Sequence, residues 1–185
     1  MNRRFKQIKT PIDGLLIIQR SPLVDKRGYL ERLFCQEEFQ PILKEKQIKQ
    51  INHTFSEKKG TVRGMHFQYS PNTETKLVSC VRGEVFDVAI DIRKGSSTYL
   101  QYFAEKLTEE NFKSLLIPEG FAHGFQTLTN NCEMLYFHTN EFSQELEGGL
   151  NAIDPMLNIK WPLEIKEISN KDLNHPMLNN DFKGV

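Results

Sequence analysis

Thr61-Val62-Arg63-Gly64-Met65-His66-Phe67-Gln68 is the stretch on which the reading of this chain turns. Its β-branched and aromatic residues predict a strand. A period of two puts Val62, Gly64, His66 and Gln68 on one face and Arg63, Met65 and Phe67 on the other. A histidine with small and polar neighbours suits a cavity, although a lone strand histidine is more often structural. Working outward, comparable runs recur at 14–21, 28–34, 48–55, 76–81, 84–92, 99–107, 114–117, 124–128 and 133–139, with turn residues between them. So many short strands predict an all-β sandwich or barrel. Within 84–92, Phe86, Val88, Ile90 and Ile92 form an apolar face. Val85, Asp87, Ala89 and Asp91 form a mixed one, which either meets solvent or lines the lumen of a jelly roll. Arg82-Gly83 between two apolar runs predicts a tight hairpin. Phe39, Ile42 and Leu43 predict one amphipathic helix over 36–46, with Pro41 near its start. Beyond Trp161-Pro162 the pattern is irregular, and a tail from about residue 163 is expected to wrap the barrel or a partner.

The length, 185 residues, suits one domain over 1–185 whose core needs neither disulfides nor metal. Twenty-four Lys and Arg balance 24 Asp and Glu, scattered along the chain, so no electrostatic footprint for nucleic acid or an anionic membrane is visible. The apolar runs fall far short of the ~20 residues of a membrane span. No apolar stretch follows the opening Met1-Asn2-Arg3-Arg4-Phe5-Lys6, so no secretory leader is expected. Cys35, Cys80 and Cys132 are odd in number and unpaired in spacing, which suits reduced packing thiols in the cytoplasm.

The 64–68 run and Pro118-Glu119-Gly120-Phe121-Ala122-His123 resemble the two motifs of the cupin superfamily. Metal-binding cupins carry His-x-His in the first motif. Here the second position is Gln68, and two histidines alone make a weak transition-metal site, so no metal is expected. A wider set of motifs narrows the resemblance: Lys26-Arg27-Gly28-Tyr29, Asn52-His53-Thr54-Phe55-Ser56, 60–68, Lys76-Leu77-Val78, 82–93, 117–125, Leu135-Tyr136, Asp154-Pro155 and Trp161-Pro162. In order and spacing, over 13–176, these resemble the dTDP-4-dehydrorhamnose 3,5-epimerase family. That resemblance implies an all-β, cupin-type jelly-roll sandwich or barrel with short peripheral helices. It also implies a nucleotide-linked sugar substrate, no cofactor, and a homodimer with shared active sites in which Arg27 acts in trans.

A hydrogen beside a ketone is too weakly acidic for a histidine in water. The reaction therefore needs a held base, a group that stabilises the enolate oxygen, and an acid. By the resemblance, His66 removes the hydrogen beside the carbon-4 ketone of a 4-keto-6-deoxy sugar, and Asp172 orients the imidazole. Lys76 neutralises the enolate. Tyr136, on a strand face with Met134 and His138, returns a proton from the opposite side and inverts the centre. Arg27, Arg63 and Lys171 are candidates for the pyrophosphate. Gln50, Asn52 and Gln68 are candidates for the nucleotide or sugar, His123 for the lumen near the substrate, and Glu147 for a ligand-contacting acid. Arg32, a cation where many members carry glutamate, is placed beside the nucleotide. Phe137, Glu141-Phe142 and Ala152-Ile153 also depart from the family pattern. These departures leave open inversion of one carbon only, or another nucleotide such as CDP. The rival from a different class is a non-catalytic sugar-nucleotide-binding barrel.

Overall fold

The computed structural model describes residues 4–179 and 181–185. Met1, Asn2 and Arg3, part of the opening read above for a leader, lie outside the described residues. The elements follow in chain order: β1 (Phe5–Lys9), β2 (Leu16–Arg20), β3 (Leu23–Asp25), β4 (Gly28–Leu30), α1 (Gln36–Leu43), β5 (Gln50–Ser56), β6 (Thr61–Gln68), β7 (Lys76–Arg82) and β8 (Glu84–Asp91). Then come β9 (Tyr102–Thr108), β10 (Lys113–Ile117), β11 (Phe121–Thr127), β12 (Cys132–His138), β13 (Glu147–Gly149), β14 (Glu167–Ile168) and α2 (Asn170–Leu173). One sheet has the order β1-β2-β10-β7-β12-β5; the other has β13-β6-β11-β8-β9, with β14 parallel beside β6. The two sheets face each other as the walls of a jelly roll. No helix among the described residues is long and apolar enough to cross a membrane.

Three apolar clusters follow from the strand alternation. Between the sheets, Ile17, Val78, Cys80, Leu115 and Met134 meet Val85, Ala89, Leu107, Phe121 and Phe125. On the outside of the first sheet, Phe39 and Leu43 of α1 cover Ile18, Leu77, Leu116 and Phe137. This is the amphipathic helix expected from the sequence, with Pro41 accommodated inside it and its end at Leu43. Outside the second sheet, Val62, Met65, Val88, Ile90 and Ile92 are covered by Leu150, Ala152 and Leu157, with Trp161, Ile165, Phe182 and Val185 against them. The tail thus wraps the barrel.

Two local expectations are corrected. Arg82-Gly83 does not close a hairpin, because β7 and β8 lie in opposite sheets. Their apolar faces pack against each other across the core, Val78 and Cys80 toward Val85 and Ala89. Gly83 makes the crossing at φ +77°, where a Cβ would lie 2.7 Å from Thr129 Oγ1 and 2.9 Å from Cys132 Sγ. Strict alternation also fails in β6. His66 lies opposite His123 while Arg63 lies opposite Phe125, so β6 spends one more residue than β11 over that span, a β-bulge. The bulge falls at Gly64, whose φ is +116° and whose missing Cβ would sit 2.6 Å from the Gly124 Cα. Arg63 consequently joins His66 at the cavity, while Val62, Met65 and Phe67 pack under the tail.

Candidate active site

The mixed face of β8 turns inward. Asp87 is fully buried, and its carboxylate oxygens lie 2.9 and 3.1 Å from His123 Nε2 on β11. Beside this pair opens a cavity of about 540 Å³, lined by residues from both sheets and from the tail.

The second sheet supplies His66. Its Nε2 lies 2.8 Å from Asp172 Oδ1, and Asp172 Oδ2 accepts from the Gly64 N–H at 3.1 Å. The tail places this carboxylate: β14 runs parallel to the start of β6, Ser169 then caps α2 by accepting from Asp172 N, and Asp172 returns over the bulge. Burial pushes the Asp172 carboxyl up, but the bonds from His66 and Gly64 outweigh it and hold the group below its ordinary value. With Nε2–H donated to a carboxylate, the His66 lone pair rests on Nδ1, the arrangement of a general base.

The first sheet supplies the opposite wall. Cross-strand register sets Lys76 beside His138, and Tyr136 between Asn52 and Val78. The buried Tyr136 hydroxyl lies 3.3 Å from Thr54 Oγ1, and desolvation pushes its pKa well above the ordinary phenol value. It is held as a neutral acid. Lys76 Nζ lies 3.1 Å from Glu74 Oε1 and 3.5 Å from the His66 carbonyl. A carboxylate-held imidazole on one wall, with an ammonium and a neutral phenol on the other, can take a proton, steady an anion and give a proton back.

The match to the family model dTDP-4-dehydrorhamnose 3,5-epimerase spans residues 9–180. The chain belongs to the dTDP-4-dehydrorhamnose 3,5-epimerase family. The Salmonella typhimurium dTDP-4-dehydrorhamnose 3,5-epimerase is 43% identical over 174 residues, covering 93% of this chain and 94% of that one. Among solved structures, the Legionella pneumophila dTDP-6-deoxy-D-glucose-3,5-epimerase in complex with dTDP-4-keto-L-rhamnose is 38% identical. It superposes with a TM-score of 0.88 over 94% of this chain and 92% of that one. The Bacillus anthracis dTDP-4-dehydrorhamnose 3,5-epimerase with TDP and PPi bound is 32% identical, with a TM-score of 0.90 over 94% of this chain and 99% of that one. The fold is therefore the family's cupin-type jelly roll, and the protein is an isomerase of the epimerase class.

Most of the residues that the family resemblance singled out gather at the cavity: His66, Lys76, Tyr136 and Asp172, with Gln50, Asn52, Arg63, Gln68, His123, Glu147 and Lys171. Within that group, Gln68 is committed to the scaffold. Its amide donates to Asn72 O and Glu141 O and accepts from Ser143 N. Lys171 Nζ pairs with Glu147 Oε2 at 2.6 Å, and Arg63 donates to Ser56 Oγ and Phe55 O. Arg27 and Arg32 are not brought to this cavity. Arg27 tips the β3–β4 hairpin, 84% exposed and paired with Asp25, and Arg32 pairs with Glu38. Each has a local carboxylate, and the small two-stranded sheet that carries Arg27 stands apart from the two large ones.

Glu74 and His138 in the cavity wall, and His175 beside Asp172, were not named as site residues in the sequence. His138 had a signal, since it shares a face of β12 with Tyr136 two positions away, whereas Glu74 lies just before β7 and had none. His175 had none. Its donor atom lies within 4.8 Å of those of His66 and Asp172, a set that could hold a divalent cation. A cation there would occupy the base, so the two uses exclude each other.

Proposed function

We propose that this cavity takes dTDP-4-dehydro-6-deoxyglucose and inverts the carbons on both sides of its ketone, as a step in deoxysugar synthesis for surface polysaccharide. His66 Nδ1 takes the hydrogen from the carbon beside the ketone, and the electron pair moves to the carbonyl oxygen as an enolate. Lys76 stabilises that oxygen. Tyr136 then delivers a proton to the same carbon from the other face, leaving it inverted with no net oxidation. The observation that carries this reading is that the Asp172-held imidazole and the neutral Tyr136 hydroxyl come from different sheets around one cavity. Gln50, Asn52, Arg63, His123, Glu147 and Lys171 offer contacts for the sugar and pyrophosphate.

We propose further that two chains pair. Leu23, Val24, Tyr29 and Leu30 on the β3–β4 hairpin are exposed, as are Ile51 and Phe55 on the edge strand β5. A hairpin seated on a partner would carry Arg27 toward that partner's cavity. Three free cysteines fit a reducing compartment, the cytoplasm.

Incubation with the substrate in heavy water tests the reaction. Deuterium at carbon 3 and carbon 5 is expected. Label at one carbon only would make this a single-centre enzyme, and no label from folded protein would overturn the reading. Sedimentation tests the dimer, and Arg27→Ala should raise KM.

A further inference from the structure

Lys76 ends a directed series of hydrogen bonds that crosses the first sheet. The Phe142 N–H donates to Gln50 Oε1 at 2.9 Å, and Gln50 Nε2 donates to Asn52 Oδ1 at 3.1 Å. Asn52 Nδ2 lies 3.4 Å from His138 Nε2, and His138 Nδ1 lies 2.7 Å from Glu74 Oε2. Glu74 Oε1 receives Lys76 Nζ at 3.1 Å. Every donor points the same way as far as the carboxylate, with His138 donating from Nδ1 to Glu74 and accepting at Nε2 from Asn52. The register makes this possible, because His138 stands opposite both Lys76 and Gln50.

The Glu74 and Lys76 side chains are only 8% and 10% exposed. A buried ion is costly without a partner, and the carboxylate beside Lys76 supplies one. Burial raises the Glu74 carboxyl, yet its bonds to His138 and Lys76 hold it below the ordinary value, so it is an anion. The His138 ring also runs within 20° of parallel to Tyr136, with centroids 6.1 Å apart.

We propose that Glu74 and His138 are a positioning pair: Glu74 holds Lys76 aimed at the enolate oxygen, and His138 holds Glu74. This rests on the role given to Lys76 above. Neither residue touches the sugar in this scheme, so their loss acts on kcat and spares KM.

Steady-state kinetics of Glu74→Gln, His138→Leu and His138→Asn test the proposal, with deuterium exchange by the unmodified protein as the reference. Glu74→Gln should lower kcat about 10- to 100-fold, the scale of a misplaced reacting group, with KM within about threefold. His138→Leu should lower kcat about 10-fold. His138→Asn, which keeps an N–H near the Nδ1 position, should recover most of that loss. Should Glu74→Gln fail to fold, the two His138 variants decide, since a merely structural role would move melting temperature without separating Asn from Leu in kcat. Unchanged kcat in Glu74→Gln, or equal kcat in the two folded His138 variants, overturns the pair. Absence of exchange in the unmodified protein overturns the mechanism on which the pair rests.

Discussion

His66 Nε2 and Asp172 Oδ1 lie 2.8 Å apart although 106 positions separate the residues in the chain. The tail thus completes a site begun on β6. In the proposed mechanism the carboxylate selects the tautomer, so Asp172→Asn should cut kcat about 10²- to 10⁴-fold in a folded protein. Solvent-deuterium incorporation reads this directly, and a rate near the unmodified one would remove Asp172 from the role.

Tyr136→Phe separates the two half-reactions. Without the phenol, exchange from the His66 side should persist while inverted product falls by about 100-fold or more. Proton NMR of the product mixture distinguishes the two. Inversion at the original rate would assign the acid elsewhere.

Gly64→Ala places a Cβ 2.6 Å from the Gly124 Cα and 2.7 Å from the His123 carbonyl oxygen, in a backbone conformation at φ +116°. Both obstacles are backbone atoms, which cannot swing aside. A loss of about 3 kcal/mol or more in denaturant unfolding is expected. A loss under about 1 kcal/mol would show that the bulge can relax.

Asp91 gives the fold a pH dependence of known sign. It accepts from Arg93 N, Nε and Nη2 and from Ser96 and Thr98 hydroxyls. Burial opposes the charge, but these bonds hold the carboxyl well below the ordinary range. Its stabilising contribution is therefore complete above the unfolded value of about 3.9 and is lost as pH falls from there toward the folded value. The melting temperature of Asp91→Asn should be lower at pH 7 and fall less steeply between pH 5 and 2. Some slope remains from Asp172 and Glu74, whose carboxyls are also held low. Parallel melting curves for the two proteins would contradict this account.

Cys80 is fully buried, and burial pushes its thiol up to about 12. Cys132 is buried, and Cys35 is half-buried. A thiol reagent at neutral pH should modify Cys35 first, and Cys80 and Cys132 only after unfolding. Prompt modification of all three would require the core to open.

Strand positions were legible because alternation is local: β6 runs from Thr61 to Gln68 as read, and β5, β7, β8, β10 and β12 start or stop within two residues of expectation. Sheet assignment was not legible at Arg82-Gly83, since an edge-paired hairpin and a face-packed crossover present the same two apolar runs. The face of Arg63 was lost for a related reason. A bulge is a relation between strands, set by Gly64 meeting Gly124 across 60 residues, and no period within β6 reveals it. Lys76 and Tyr136 could be named from motifs and His138 sat on a readable strand face, whereas its link to Glu74 became visible only when register laid two strands side by side. β1 and β14 were missed because mixed polarity at a short edge leaves little pattern to read.

Because β7 and β8 part company at Gly83, His66 and the Lys76–Tyr136 wall ride on separate sheets. The gap between them is set by the side chains that fill it, among them Val78, Ala89, Phe125 and Met134. In the proposed mechanism these residues act as shims between a proton acceptor and a proton donor, in a layer where one methylene is felt. On that mechanism the spacing between the two groups is a property of the hydrophobic filling. Substitutions in this filling, which carry no chemistry of their own, are then expected to shift the balance between one inverted carbon and two.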